Sequence, residues 1–173
     1  MRRGDIKVFS GAYGVRELEA EDRDTSGQHQ MLSGEPVKGK VGTGGNFCRP
    51  IENGEPVVAD NDIFVGIVKR DSTETASADG KVEVDLVGPG SIIEGDATTA
   101  ASIDTAAELI GLMFDNIAFD VSATSVYTLD EDQNGAATAL CLAIVGGDIV
   151  RTRVLAIVNR NTLVSGNSNP TLT

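Results

Sequence analysis

Beyond residue 35, no apolar stretch of this chain outlasts a single β-strand before Gly, Pro or Asn interrupts it. Twenty glycines against five prolines supply much of that punctuation and favour tight turns over long helices. The longest apolar run, around residues 139–145, is strand-sized and far short of the roughly 18 residues that a membrane span needs. Within these limits the pattern predicts strands at 37–41, 55–59, 63–69, 81–87, 111–121, 137–145 and 149–158. Residues 81–87 (KVEVDLV) alternate polar and apolar strictly, as a strand with one wet and one dry face requires. Residues 63–68 (IFVGIV) are continuously apolar, as in a strand buried on both sides. Gly146-Gly147-Asp148, between the last two runs, predicts a hairpin turn. One short helix is expected over 104–109, after Ser102. Regularly spaced strands with turns between them define an all-β chain, a compact barrel or sandwich with that single helix.

Charge divides the molecule. The formal net charge is −12, yet residues 1–40 hold seven basic and seven acidic groups, so the whole excess lies in 41–173. Between Asp71 and Val150 the only basic residue is Lys81, against fifteen Asp or Glu. A polyanion repels phosphate, which argues against nucleic acid or an anionic membrane as a partner. The head segment is punctuated by Gly11, Gly14 and Gly27, and residues 17–24 (ELEAEDRD) are nearly all charged. Residues 16–23 offer a turn or two of helix with little apolar stripe to bury. Such a segment buries too little to offset its own ordering entropy, so it either stays disordered or orders on a partner. The expected division is an extended N-terminal arm (1–34), a β body (35–164) and a fraying polar tail (165–173). A body lacking residues 1–30 is expected to fold. Met-Arg-Arg-Gly-Asp at the start lacks an apolar core, so no secretory signal is expected.

Chemical motifs are sparse. Cys48 and Cys141 have no CxxC partner and are expected as small buried apolar groups, with a disulfide between them the lesser alternative. His29 is the sole histidine, which excludes any two-His site and leaves Cys–His zinc chemistry short of ligands. Asp130-Glu131-Asp132-Gln133-Asn134-Gly135 fits the first half of a calcium loop, but the position for the bidentate Glu falls on Cys141. An acidic turn is therefore expected there, with Asp130, Asp132 and Asn134 only a weak metal candidate. Gly42-Thr43-Gly44-Gly45 lacks the Gly-Lys-Ser/Thr of a phosphate loop, and Val87-Gly88-Pro89-Gly90 reads as a turn. Glu83, Asp85, Glu94, Asp96, Asp115 and Asp120 are abundant carboxylates, but with 4% aromatics and no Trp the chain has few walls to drive their pKa values apart. They are expected as a solvated face. Arg3-Gly4-Asp5 is too short a match to weigh. Neither a catalytic group nor a cofactor is expected.

A resemblance extends over roughly residues 33–158. Asn46-Phe47-Cys48-Arg49-Pro50, the 63–68 run, and residues 72–80 (STETASADG) leading into KVEVDLVGPGSIIEGDA resemble phage capsid decoration proteins, also called cement or head-stabilising proteins. Residues 111–115, 117–120 (IAFD), the Val126-Tyr127-Thr128-Leu129-Asp130 segment and the final hairpin fit the same likeness. It implies a β-barrel or β-tulip-like domain on the outer surface of an icosahedral head, made in the host cytoplasm and commonly trimeric. The implied partners are the major capsid protein and the chain itself, as a homotrimer. It further implies an N-terminal segment that reaches across capsid subunits. On that segment Arg2, Arg3, Ile6, Val8, Phe9, Tyr13, Arg16 and Leu18 are the expected contacts, apolar side chains giving area and arginines giving register. Two rival readings stand beside it: a tail, baseplate or head-fibre β-module, and a trimeric β-barrel enzyme with metal or carboxylate chemistry at its subunit junctions.

Overall fold

Apolar residues at every second position give this chain its strands, and two separate apolar cores decide how the strands assemble. The computed structural model describes residues 6–21, 30–39, 47–51, 63–75, 78–123, 126–131 and 142–158. The strands are β1 (Lys7–Ser10), β2 (Gly14–Ala20), β3 (Pro36–Gly39), β4 (Cys48–Pro50), β5 (Ile63–Arg70), β6 (Gly80–Leu86), β7 (Ile92–Asp96), β8 (Ala118–Ala123), β9 (Val126–Asp130), β10 (Leu142–Asp148) and β11 (Arg153–Val158). A 3-10 turn (Ala100–Ser102) and one short helix, α1 (Ala106–Gly111), lie between β7 and β8. The fold is all-β, as expected. Strands β2-β4-β3-β5-β6 close a barrel, β1-β7-β11-β10 form a four-stranded sheet, and β8-β9 form a hairpin. No described helix is long and apolar enough to cross a membrane.

The barrel interior is the first core. β2 and β6 pair antiparallel from Gly14↔Leu86 to Ala20↔Gly80, which puts Leu18 beside Val82 on one face. Leu18, Ala20, Val82 and Val84 pack with Met31, Val37, Cys48 and Val68. The second core lies where Ile51, Phe64, Ile67 and Val87 meet Ile93, Val154 and Ala156 of the sheet and Phe119, Tyr127 and Leu129 of the hairpin. The rings of Phe64 and Phe119 tilt together with centroids 5.4 Å apart. The buried Tyr127 hydroxyl donates to the Ile51 carbonyl at 2.7 Å, so no polar group is stranded there. β5 serves both cores, with Val68 in the first and Phe64 and Ile67 in the second. That double duty is the physical content of the continuous apolar run at 63–68.

Several expectations need correction. Within the segment expected as a free arm, residues 6–21 are two strands of the body. β1 pairs with β7, and β2 closes the barrel between β6 and β4. The reason is a period-two pattern hidden by charge: Leu18 and Ala20 go to the core, while Glu17 and Glu19 stay on the wet wall. The boundary expected near residue 34 is stitched across, since Ile6 N donates to Gly34 O (3.1 Å) and Gly34 N to Val68 O (2.9 Å).

The strand expected at 111–121 begins only at Ala118, because Gly111 ends α1. That helix is set by a capping box in which Thr105 and Glu108 satisfy each other's backbone amides, shifting it two residues from the expected 104–109. Gly146, Gly147 and Asp148 belong to β10, and the reversal occupies residues 149–152. Asp148 Oδ1 accepts from the amides of Val150 (3.1 Å) and Arg151 (3.2 Å), which places the turn after it. Gly147 is needed within the strand because a Cβ there would sit 2.5 Å from the Arg153 carbonyl oxygen. The expected strand 55–59 and the tail 165–173 lie outside the described residues.

Two predictions follow from barrel closure. A chain lacking residues 1–21 loses β1 and β2, and it should show no cooperative unfolding transition by circular dichroism. Gly66→Ala puts a Cβ 2.1 Å from the Asp85 carbonyl oxygen, backbone that cannot yield without parting β5 from β6. It should cost about 1–3 kcal/mol or more in urea denaturation.

Candidate functional site

The expected contact residues separate into a buried and an exposed set. Ile6 is 2% exposed. Val8 packs against the second core and Leu18 against the first, so all three hold the body together and are not offered to a partner. Phe9, Tyr13 and Arg16 are exposed. Arg2 and Arg3 lie outside the described residues.

Phe9 reaches the surface because it is the extra residue of a bulge: Val8 pairs with Ile93 and Ser10 with Ile92, leaving Phe9 without an opposite number. The link from β1 to β2 then turns at Gly11 (φ 74), where a Cβ would press on Ser91 Cα at 3.1 Å. Ser91 Oγ donates to the Gly11 carbonyl at 2.6 Å and fixes the link. Tyr13 follows, pinned three ways. Its amide donates to Leu86 O at 2.9 Å, its hydroxyl donates to Pro89 O at 2.9 Å, and its ring lies on Gly88, where a Cβ would sit 2.5 Å from Cε2. Although 64% exposed, this ring is ordered before any partner arrives. It walls a groove of ≈ 350 Å³ with Val65, Leu86, Val87 and Pro89, above Phe64. Arg16, two residues into β2, spends one guanidinium N–H on the Val15 carbonyl at 3.2 Å.

The carboxylates considered for acid–base work are mostly engaged. Lys7 Nζ lies 2.6 Å from Glu94 Oε2, Arg153 Nε 2.9 Å from Glu94 Oε1, and Arg153 Nη1 2.8 Å from Asp96 Oδ1. Lys7 sits opposite Glu94 and Arg153 opposite Asp96 in the sheet register. Two cations and two anions thus lace β1, β7 and β11 together. On the barrel wall, Glu17 faces Glu83 directly across β2 and β6. Their repulsion is offset by Lys81, 3.0 Å from Glu17, and by Arg70, 3.4 Å from Glu83. The hydrogen bond and charge of Glu17, then the charge of Glu19, raise the Lys81 pKa. Asp85 lies 3.7 Å from Lys69.

At the start of α1, a hydrogen bond to Glu108 raises the Asp104 carboxyl, while Thr105 and then Asp104 hold Glu108 below the usual range. Both groups are in open solvent. In the calcium-like stretch, Asp130 ends β9 and the fully buried Glu131 is spent on backbone, accepting from Thr98 N (3.1 Å) and Thr99 N (2.9 Å). Asp132 and Asn134 lie outside the described residues, as do Cys141 and His29. Among the described residues no three His, Cys, Asp or Glu are grouped to hold a metal ion.

Cys48 is a free thiol inside the barrel, as expected of a small apolar group. No family model, no curated protein and no solved structure matches this chain. The exposed large apolar side chains that sequence reasoning did not single out are Ile110, Phe114 and Val150. Phe114 carried one usable signal, an aromatic directly before Asp115 in a segment otherwise expected as strand.

Burial pushes the Cys48 thiol from 9.0 up to about 11. Because the folded state keeps that proton to higher pH, the associated stability is intact below pH 9.0 and is lost as pH climbs through about 11. In a Cys141→Ser background, a thiol reagent at about pH 8 should leave the native chain unlabelled and label one site once urea unfolds it.

Proposed function

We propose that this chain is a non-catalytic capsid decoration protein, which binds the outer surface of a phage head as a homotrimer and steadies contacts between major capsid subunits. The observation that carries the reading is the Tyr13 ring, pre-ordered at the wall of an apolar groove, with Phe9 and Arg16 exposed nearby in the chain. An aromatic ring already locked by hydrogen bonds loses little entropy on binding, so its burial goes to affinity. The resemblance over residues 33–158 supplies the kind of partner. The −12 charge suits a surface turned to solvent, away from packaged DNA.

Contact in this reading is made by the surface of a folded body. The expected free arm is replaced, because Ile6, Val8 and Leu18 are needed inside. Repetition over a closed lattice multiplies modest single contacts through effective concentration, and binding only the assembled shell stabilises that shell.

The test is co-sedimentation of the purified chain with expanded, tail-less heads, beside a Phe9→Ser/Tyr13→Ala/Arg16→Ala variant. The wild-type chain should coat heads. The variant should keep a cooperative melt and bind about tenfold more weakly or worse. A variant that coats heads at full occupancy would sink the contact assignment, and a wild-type chain that stays in the supernatant would sink the capsid reading itself.

A further inference from the structure

Val150, Phe114 and Ile110 are 89%, 76% and 70% exposed, more than any other large apolar side chain among the described residues. All three lie on α1, the turn that follows it and the turn that leaves β10. α1 leans on β10 through Leu109, whose Cδ1 would lie 3.2 Å from a Cβ placed on Gly147. Ile110 follows Leu109 on the outward side, and Phe114 comes four residues later. Val150 sits in the turn that leaves β10, three residues and at most about 11 Å of chain from Gly147.

The backbone of Phe114 is strained. Its φ is 71°, the left-handed region that a bulky aromatic rarely occupies. It is held there from both sides: Phe114 N donates to Ile144 O at 2.8 Å, and Ile144 N donates to Asp115 O at 3.0 Å. The ring gains no burial in return. Strain retained by a side chain the core does not use points outward, to something the ring touches in a complex.

The surroundings state what that is. Residues 104–115 contain Asp104, Glu108 and Asp115 and no basic residue. Asp148 flanks the turn, where Arg151 Nε lies 3.8 Å from its carboxylate. Lys81, the sole cation between Asp71 and Val150, is occupied with Glu17 on the barrel wall. We infer that the α1–β10 corner is a docking surface for a second protein whose contact face is apolar at its centre and basic at its rim, with Phe114 as the anchor. The same corner of a second copy would bring acidic rim against acidic rim, and a nucleic acid or anionic membrane would bring phosphate. Neither fits. The inference does not depend on the capsid reading, because it concerns other elements than those carrying Phe9 and Tyr13 and needs no phage head to test.

The probe is an amphipathic peptide of leucine and lysine, beside a control with the same lysines and serine in place of leucine. Both are titrated into the isotopically labelled full-length chain and followed by NMR, with Phe114→Asn and Ile110→Ser as variants. Asn tolerates the left-handed region, so Phe114→Asn should melt at or above the wild-type temperature, by up to about 2–4 °C. The leucine peptide should shift resonances at α1, residues 112–117 and the β10–β11 turn, and should weaken at about 0.5 M salt. The serine peptide, and the leucine peptide on either variant, should bind about tenfold more weakly. Shifts centred on Glu17, Glu19 and Glu83, equal binding of the two peptides, or undiminished affinity of Phe114→Asn would overturn the proposal. A melt several degrees lower for Phe114→Asn would overturn it by making the ring structural. Loss of a self-associated species in that variant by sedimentation would assign the corner to a second copy and overturn it as well.

Discussion

β5 is apolar on both faces because both cores are built on it, and the rest of the molecule is arranged around that fact. Val68 fills the barrel with Val82 and Val84, while Phe64 and Ile67 carry the barrel's outer wall into the core under the sheet and hairpin. A strand buried on both sides must have its neighbours in place, since each apolar face exposed would forfeit about 25 cal/mol for every Å² returned to water. β6 and β3 flank it directly, and β2 completes the wall on the far side of β6. Gly66 marks the tightest point of this arrangement, where the Asp85 carbonyl occupies the space a side chain would need.

Closure explains why the N-terminal residues cannot be spared. β2 meets β4 through a single parallel pair, Ala20↔Cys48. That thin seam is reinforced by the Glu21 amide on Cys48 O at 3.0 Å and by the Arg49–Glu21 ion pair. β1 is tied to the sheet by the Lys7–Glu94–Arg153–Asp96 charges as well as by its ladder. An ion network at this position is costly to break singly, because removing one member leaves its partner charged and largely buried. The surface features read as contacts, Tyr13 on one face and Phe114 at the α1–β10 corner, are ordered by the same frame: each is pinned by backbone hydrogen bonds to a strand already committed to a core.

The two clearest strands were legible because their neighbours agree with their local pattern. Residues 81–87 alternate and do present Val82 and Val84 inward with Lys81 exposed; residues 63–68 are continuous and do face two cores. Residues 17–20 alternate as well, yet glutamate at both wet positions makes four residues of strand look like a solvated charge run. Without knowing that β6 lies opposite, with Val82 to meet Leu18, nothing local separates the two. The Gly146-Gly147 pair misled for a related reason. Glycine signals either a turn or a close approach, and here Arg153 and Leu109 crowd Gly147 from neighbouring elements. Among the expected contact residues that are described, alternation at Ile6 and Val8 already spoke for a core, and only Phe9, Tyr13 and Arg16 remained at the surface.

The all-β class, the absence of long helices among the described residues and the acidic character follow from the amino-acid order alone, because turn chemistry, period-two alternation and charge are local properties. What belongs to the body, which aromatics stand in solvent and which carboxylates meet cations were decided in three dimensions. Tyr13 is fixed by a carbonyl 76 positions away, and Phe114 takes its left-handed backbone from bonds to β10. Contacts across such separations are chosen by how apolar faces pack and which register buries them, and no window of neighbouring residues carries that information.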